Sequence, residues 1–253
     1  MTAEPPSQDQ LTTEQISQFK DQGYLVLPGF IGPDLLERWR AAFWDHVGGR
    51  AEDPSSWPDD PAASRGFVTE PVFGELPRLA AIAAQLGGGD FNGGGCGVAV
   101  RWPETDAEWS MPDSGHLDGY PGEGCQAVLQ LAATTALYDV EPGGGAFVYW
   151  PRSHKEAHRY FRRHPDRIEG TFRETPEWDE RGWGIFSDGA PEGPVEFAAA
   201  AGDLILWHGW LCHTGSSNVR PLPRIGLFAR WVHRDDAARR REIPTDMWEH
   251  WAV

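Results

Sequence analysis

Apolar and polar positions along this chain change their period once. As far as about residue 90 they recur at helical spacing, and beyond about residue 95 they fall into short runs broken by Gly and Pro. The first part predicts a helix over Thr12–Gln22, with Thr12 or Thr13 able to cap it and Glu14 in its first turn. Ile16 and Phe19 give it a partial apolar stripe, and Gly23 stops it. Tyr24–Leu27 reads as a strand ended by Pro28. Pro33–Val47 reads as a second helix, with Leu35, Leu36, Trp39, Phe43 and Trp44 at roughly helical spacing. Residues Gly48–Ser64 read as a polar loop, and Leu76–Leu86 as a third helix ended by Gly87, Gly88 and Gly89. The later runs are Gly97–Trp102, Gln126–Leu137, Ala146–Trp150, Val195–Phe197, Asp203–Trp207 and Arg224–Val232. They have the texture of an all-β sandwich or barrel. The expected architecture is therefore mainly β, one domain over residues 1–253, with N-terminal helices packed on a double-sheet core. The charged interval Ser153–Asp188 is expected to be a lid or insertion, with one helix near Lys155–His164, and residues 1–10 a disordered start.

Composition adds exclusions. A chain of 253 residues with 40 % apolar and 24 % charged content can build one sizeable core. A net charge of -16 leaves no Lys/Arg excess to neutralise phosphates, which argues against nucleic acid as a partner. It argues more weakly against an anionic membrane surface. No run approaches the ~20 apolar residues of a membrane span. The first ten residues lack the basic start and apolar core of a signal peptide, so a cytoplasmic protein is expected. Cys96, Cys125 and Cys212 are odd in number and share no C-x-x-C spacing, which points to buried thiols rather than disulfides or zinc thiolates. The thirteen Trp are mainly expected in core packing, although some, Trp150 among them, are candidates to line a pocket.

The candidate chemistry begins at His116-Leu117-Asp118. In an extended segment residues two apart point the same way, so His116 and Asp118 can aim into one site. Imidazole and carboxylate together suit a divalent transition metal better than calcium. The third ligand must come from a distant strand, where His208 and His213 both stand. The turn-rich Thr214–Pro223 separates His213 from Arg224, so His213 is expected to end one strand and Arg224 to open the next. Arg224 is the candidate anchor for an anionic co-substrate, and Arg220, within the turn, is its competitor.

These residues resemble the phytanoyl-CoA dioxygenase family of iron(II)/2-oxoglutarate oxygenases. Leu11-Thr12-Thr13-Glu14-Gln15 with Gly23-Tyr24-Leu25-Val26-Leu27-Pro28-Gly29-Phe30 is similar to that family's opening helix and strand. Ser114–Asp118 matches its H-x-D. Asp139–His154 resembles the segment that ends there in Pro-Gly-Ser-His, and Gly202–Trp207 followed by His213–Asn218 resembles its distal-histidine segment. Arg224 follows His213 by eleven positions, as the family pattern has it.

The resemblance implies a double-stranded β-helix (jelly-roll, cupin-like) core, with His116, Asp118 and His213 as ligands of Fe(II). It implies 2-oxoglutarate as co-substrate, with Arg224 on its distal carboxylate and Thr134 or Thr135 adding a hydroxyl contact, and O2 as oxidant. The expected reaction is hydroxylation of an unactivated C–H in a small molecule, with release of succinate and CO2. Asp118 speaks against halogenation, since related halogenases carry a small residue there. The chain departs from the family at Arg152, where Gly is usual. Arg152 and Arg101 are candidates to read an acidic or polar substrate group, because an Arg inside a β core needs an anionic partner. The rival classes are a cupin-type metal enzyme that does not use 2-oxoglutarate, a non-catalytic ligand-binding member of the fold, and a glycan-binding sandwich. The first expects H-x-H, which Gly115-His116-Leu117-Asp118-Gly119 lacks.

Overall fold

The fold is that of a computed structural model, described for residues 9–104, 106–118, 129–169, 192–239 and 241–253. The N-terminal elements follow the expected boundaries closely. Helix α1 spans Thr13–Gln22. It opens on a capping box in which Thr12 Oγ1 accepts from Gln15 N–H and the Gln15 side chain accepts from Thr12 N–H. It closes at Gly23, whose φ of 80° is the left-handed conformation that glycine adopts without steric cost. Strand β1 is Tyr24–Leu27, helix α2 is Pro33–Val47 and helix α3 is Pro77–Gly87. Residues 48–64 hold two single 3-10 turns, consistent with the polar loop expected there.

The β part forms two sheets, antiparallel in every pairing. The larger has the order β1-β6-β3-β8-β2, with β2 at Phe91–Arg101, β3 at Gln130–Ala136, β6 at Leu204–His208 and β8 at Arg224–His233. The smaller has the order β5-β4-β7, with β4 at Phe147–Tyr149, β5 at Val195–Glu196 and β7 at His213–Gly215. The chain at His116 extends the smaller sheet through a bridge to His213, with mutual backbone hydrogen bonds of 2.9 and 3.0 Å. Two sheets with flanking helices are the expected double-sheet jelly-roll architecture.

Three boundaries differ from expectation. Strand β2 begins at Phe91, six residues early, because a glycine-rich stretch that reads as loop pairs with Trp231–His233 and bulges between Gly94 and Gly97. His213 does not end the strand that begins near Asp203. That strand stops at His208, and His213 opens the separate β7 in the other sheet. Ser153–Arg163 is a helix, α4, starting two residues before the one expected near Lys155–His164 and docked on the core through Ala157 and Phe161. Ser153 Oγ accepts from Cys212 N–H at 2.8 Å. The rest of the expected lid, 170–188, lies outside the described residues, as do Cys125 and most of the expected disordered start. No described helix is long and apolar enough to cross a membrane.

Strand parity sorts the larger sheet into two faces. Leu131, Ala133, Leu204, Leu206, Ile225, Leu227, Ala229 and Trp231 join the main apolar cluster with the helices. That cluster also contains Met247, Trp248 and Trp251 of the C-terminal segment. The opposite face, carrying Ala132, Thr134, Trp207, Arg224, Phe228 and Arg230, turns toward the smaller sheet.

Candidate metal centre and its cavity

His116, Asp118 and His213 meet between the sheets, with one possible ligand atom from each lying within 4.8 Å of the others. His213 Nε2 is 3.6 Å from Asp118 Oδ1, and His116 Nε2 is 3.9 Å from it. His213 packs against Trp207 at 4.3 Å and Phe147 at 5.2 Å between ring centroids. That burial pulls its pKa down to about 4, against the attraction of Asp118, so the ring is neutral near pH 7. Its Nδ1 lies 2.9 Å from the Leu211 carbonyl, which places the proton there and leaves the Nε2 lone pair facing the site. The His116 side chain is 46 % exposed and lines the cavity beside the cluster.

Burial works to raise the pKa of Asp118, but the opposing pull of His213, Arg230 and His116 outweighs it and holds the carboxyl below its ordinary value. Two imidazoles and one ionised carboxylate at this spacing are the facial donor set that suits iron(II) and leaves positions open.

Arg224 lies beside this cluster on the wall of a cavity of about 170 Å³. The lining includes Arg101, Thr134, Phe147, Trp207, Phe228 and Arg230. Arg224 is 9 % exposed, and its Nη1 makes a long hydrogen bond to the Ala99 carbonyl at 3.4 Å. Burial, reinforced by the neighbouring charge of Arg101, pulls its pKa down to about 10, so it remains a cation near pH 7. Among the described residues no carboxylate pairs with it. A buried guanidinium in that condition is costly unless an anion joins it. Gly226 makes room for it, since a Cβ there would stand 2.5 Å from Arg224 Cζ.

The structure divides the other candidates. Thr134 lines the cavity, where its hydroxyl accepts from Trp207 Nε1 at 3.1 Å. Thr135, one position on, faces the opposite side and donates to the Asp203 carbonyl. Arg101 pairs in register with Arg224 across β2 and β8, and its guanidinium lies against Gly215. Trp150 is buried in the main apolar cluster, with its ring against Gly115, and is not part of the cavity wall. Arg152 lies outside as well. It adopts a left-handed backbone at φ 64°, which accounts for the family's Gly, and its guanidinium pairs with Asp21 at 2.9 Å and Glu192 at 3.0 Å. His154 is buried beneath Gly23 with Nε2 on the Lys20 carbonyl, bracing the end of α1.

His208 shares the parity of Leu204 and Leu206. It faces Trp248 and Trp251 on the helical side, remote in character from the donor cluster. Arg220 stays in the turn, on the Pro142 carbonyl and near Glu141. Two residues that the sequence did not single out also reach the site. Arg230 and Gln130 both bond Asp118. Their only signal was same-face spacing, Arg230 from Arg224 along β8 and Gln130 from Thr134 along β3.

Residues 105–226 match the sequence profile of the phytanoyl-CoA dioxygenase (PhyH) family. The match takes in His116, Asp118, His213 and Arg224. The chain is also similar to the ectoine dioxygenase of Stutzerimonas stutzeri (strain A1501), with 24 % identity over 90 % of this chain and 79 % of that one. Among solved structures it resembles the epimerase SnoN of nogalamycin biosynthesis, in complex with Fe3+, alpha ketoglutarate and nogalamycin RO. The TM-score is 0.61 at 21 % identity, covering 87 % of this chain and 82 % of that one. It also resembles HygX from Streptomyces hygroscopicus with nickel and 2-oxoglutarate bound, at TM-score 0.55 and 22 % identity, covering 88 % and 87 %. These likenesses agree with the jelly-roll core, and the donor set and buried guanidinium described above fit iron(II) and 2-oxoglutarate.

Proposed function

We propose that this protein is an iron(II)- and 2-oxoglutarate-dependent dioxygenase that hydroxylates an unactivated C–H bond of a small, negatively charged molecule. The observation that carries this reading is the buried Arg224, without a carboxylate partner among the described residues, facing the same cavity as the His116–Asp118–His213 donor cluster. The imidazoles of His116 and His213 and the carboxylate of Asp118 would hold the metal beside the cavity. Arg224 receives the distal carboxylate of 2-oxoglutarate as a charge-assisted pair, and Thr134 can donate its hydroxyl hydrogen alongside. Phe147, Trp207 and Phe228 wall the space with apolar surface that excludes water from the reacting atoms. Bound iron(II), with 2-oxoglutarate and O2, supplies the oxidising chemistry, and the co-substrate leaves as succinate and CO2.

The substrate's charge follows from the lining. Three guanidiniums, of Arg101, Arg224 and Arg230, meet one carboxylate, Asp118, around the described site. A divalent metal and a dianionic co-substrate cancel one another, so positive charge remains, in a protein whose net charge is -16. Arg101, exposed on the cavity wall, reads the acidic group of the substrate. Asp118 occupies the position a halide would need, which favours hydroxylation over halogenation. Epimerisation or ring closure on the same cofactors would need a differently placed substrate C–H. The small-molecule ligands named for SnoN and HygX, nogalamycin RO and hygromycin B, are consistent with a specialised-metabolite substrate.

The test is an anaerobic titration of the iron(II)-loaded protein with 2-oxoglutarate, following the visible charge-transfer band of the chelate. The band is expected in the wild type. In Arg224→Ala 2-oxoglutarate affinity should fall by an amount on the order of 3–5 kcal/mol, with metal affinity retained. Tightly bound iron without a band would overturn the reading.

A further inference from the structure

The two oxygens of Asp118 have different surroundings. Oδ1 faces the imidazole Nε2 atoms of His213 and His116 at 3.6 and 3.9 Å. Oδ2 accepts from Arg230 Nε at 2.6 Å and from Gln130 Nε2 at 2.7 Å. Arg230 Nη2 reaches Oδ1 only at 3.4 Å. Both donors come from the inner face of the larger sheet by strand register. Arg230 stands opposite Ala132 on β3, where a small side chain leaves room for the guanidinium to swing toward Asp118, and Gln130 is the next same-face residue along β3. The guanidinium also lies over the Phe228 ring at 4.7 Å and the Trp207 ring at 5.7 Å, which restricts its rotamers.

We infer that Arg230 and Gln130 are positioning residues that reserve Oδ2, so that Asp118 presents Oδ1 alone to the metal. The inference rests on the metal site proposed above. Its consequence is coordination number. A carboxylate that binds through one oxygen leaves open a position that a chelating carboxylate would fill, and the chemistry proposed here needs those positions for co-substrate and O2. A residue kept only for packing would leave the metal–carboxylate mode unchanged.

The experiment loads the full-length protein with Co(II) alone and records the infrared difference between loaded and metal-free protein. Only carboxylates that change on loading appear. The gap between the antisymmetric and symmetric stretches is wide for a one-oxygen ligand and narrow for a chelating one. The wild type should show the wide gap. Arg230→Ala should narrow it, and Gln130→Leu should narrow it less. Co(II) affinity, measured by calorimetry, should fall by roughly 10–100-fold in Arg230→Ala. Removal of a nearby positive charge would by itself raise that affinity, so a fall reports lost orientation. A narrow gap in the wild type, or a wild-type gap retained in both variants, overturns the inference while leaving the metal site intact. If Arg230→Ala does not fold, Gln130→Leu decides alone. A wild type that binds no Co(II) overturns the metal-site reading and this inference with it.

Discussion

The two faces of the larger sheet look onto different spaces, and each space holds a fully or nearly buried histidine beside tryptophan. His213, with Trp207 beside it, looks into the space between the sheets and finds Asp118 and His116. His208, one strand away in sequence, looks the other way and finds Trp248, Trp251 and His154. Burial and aromatic company therefore do not by themselves make a histidine a candidate ligand. What differs is the presence of a carboxylate and a second imidazole, brought from segments distant in sequence. The inner face also concentrates cations that the outer face, packed against helices, could not hold without partners.

That contrast can be broken most decisively at the two histidines. His213→Ala is expected to abolish metal binding, a loss exceeding the roughly 100-fold that outer-shell changes cost. His208→Ala should leave Co(II) affinity near the wild-type value and lower stability instead, by about 1–3 kcal/mol from lost packing. Calorimetric Co(II) titration together with thermal unfolding of both variants checks this, and the reverse pattern would move the ligand to the outer face.

The next largest effect sharpens the same comparison through pH. Burial pulls the pKa of His154, on the outer side, down to about 4. In the unfolded chain that group protonates near 6.5. Its neutral form therefore contributes stability that is fully present above pH 6.5. That contribution is lost progressively as pH falls from 6.5 toward 4, to a total of up to about 3 kcal/mol. The melting temperature of the metal-free protein should drop over that interval by several degrees more in the wild type than in His154→Gln. Equal slopes would show that His154 is not buried in its neutral form.

The smallest expected effect is on the inner face, at Gly226. A methyl group there meets the Arg224 guanidinium, and crowding of this kind costs about 1–3 kcal/mol. Gly226→Ala should weaken 2-oxoglutarate by at least several-fold in the anaerobic titration and leave Co(II) affinity alone. An unchanged co-substrate affinity would mean that Arg224 reaches its ligand from a different position.

Most of the helical frame was legible because its signals are local. Thr12 with Gln15, Pro33 with Gly48, and the Gly87–Gly89 run are start and stop chemistry that acts within a few residues. The strand at Phe91–Gly97 was not legible, because glycines in a row read as loop until a partner strand supplies their hydrogen bonds. Strand β7 is three residues long and carries too little pattern to register. Arg152 illustrates a different limit. Its departure from the family's glycine was visible, but the left-handed backbone beneath it and the carboxylates of Asp21 and Glu192 that draw it outward belong to other segments.

The sequence by itself determined the order of the chemistry: His116 and Asp118 two apart in extended chain, a distal histidine, and an arginine eleven positions later. It also determined the period of each long element, because periodicity is a property of neighbouring residues. Which face of each strand looks inward was decided only by the tertiary structure. Parity says that Thr134 and Thr135, or His208 and Trp207, point apart, and only the packing of the second sheet says which of them meets the cavity. The grip of Arg230 and Gln130 on Asp118 was likewise a matter of register between strands. A long-range contact of that kind exists only once the chain has folded, because burial and pairing energies, not local preference, bring its partners together.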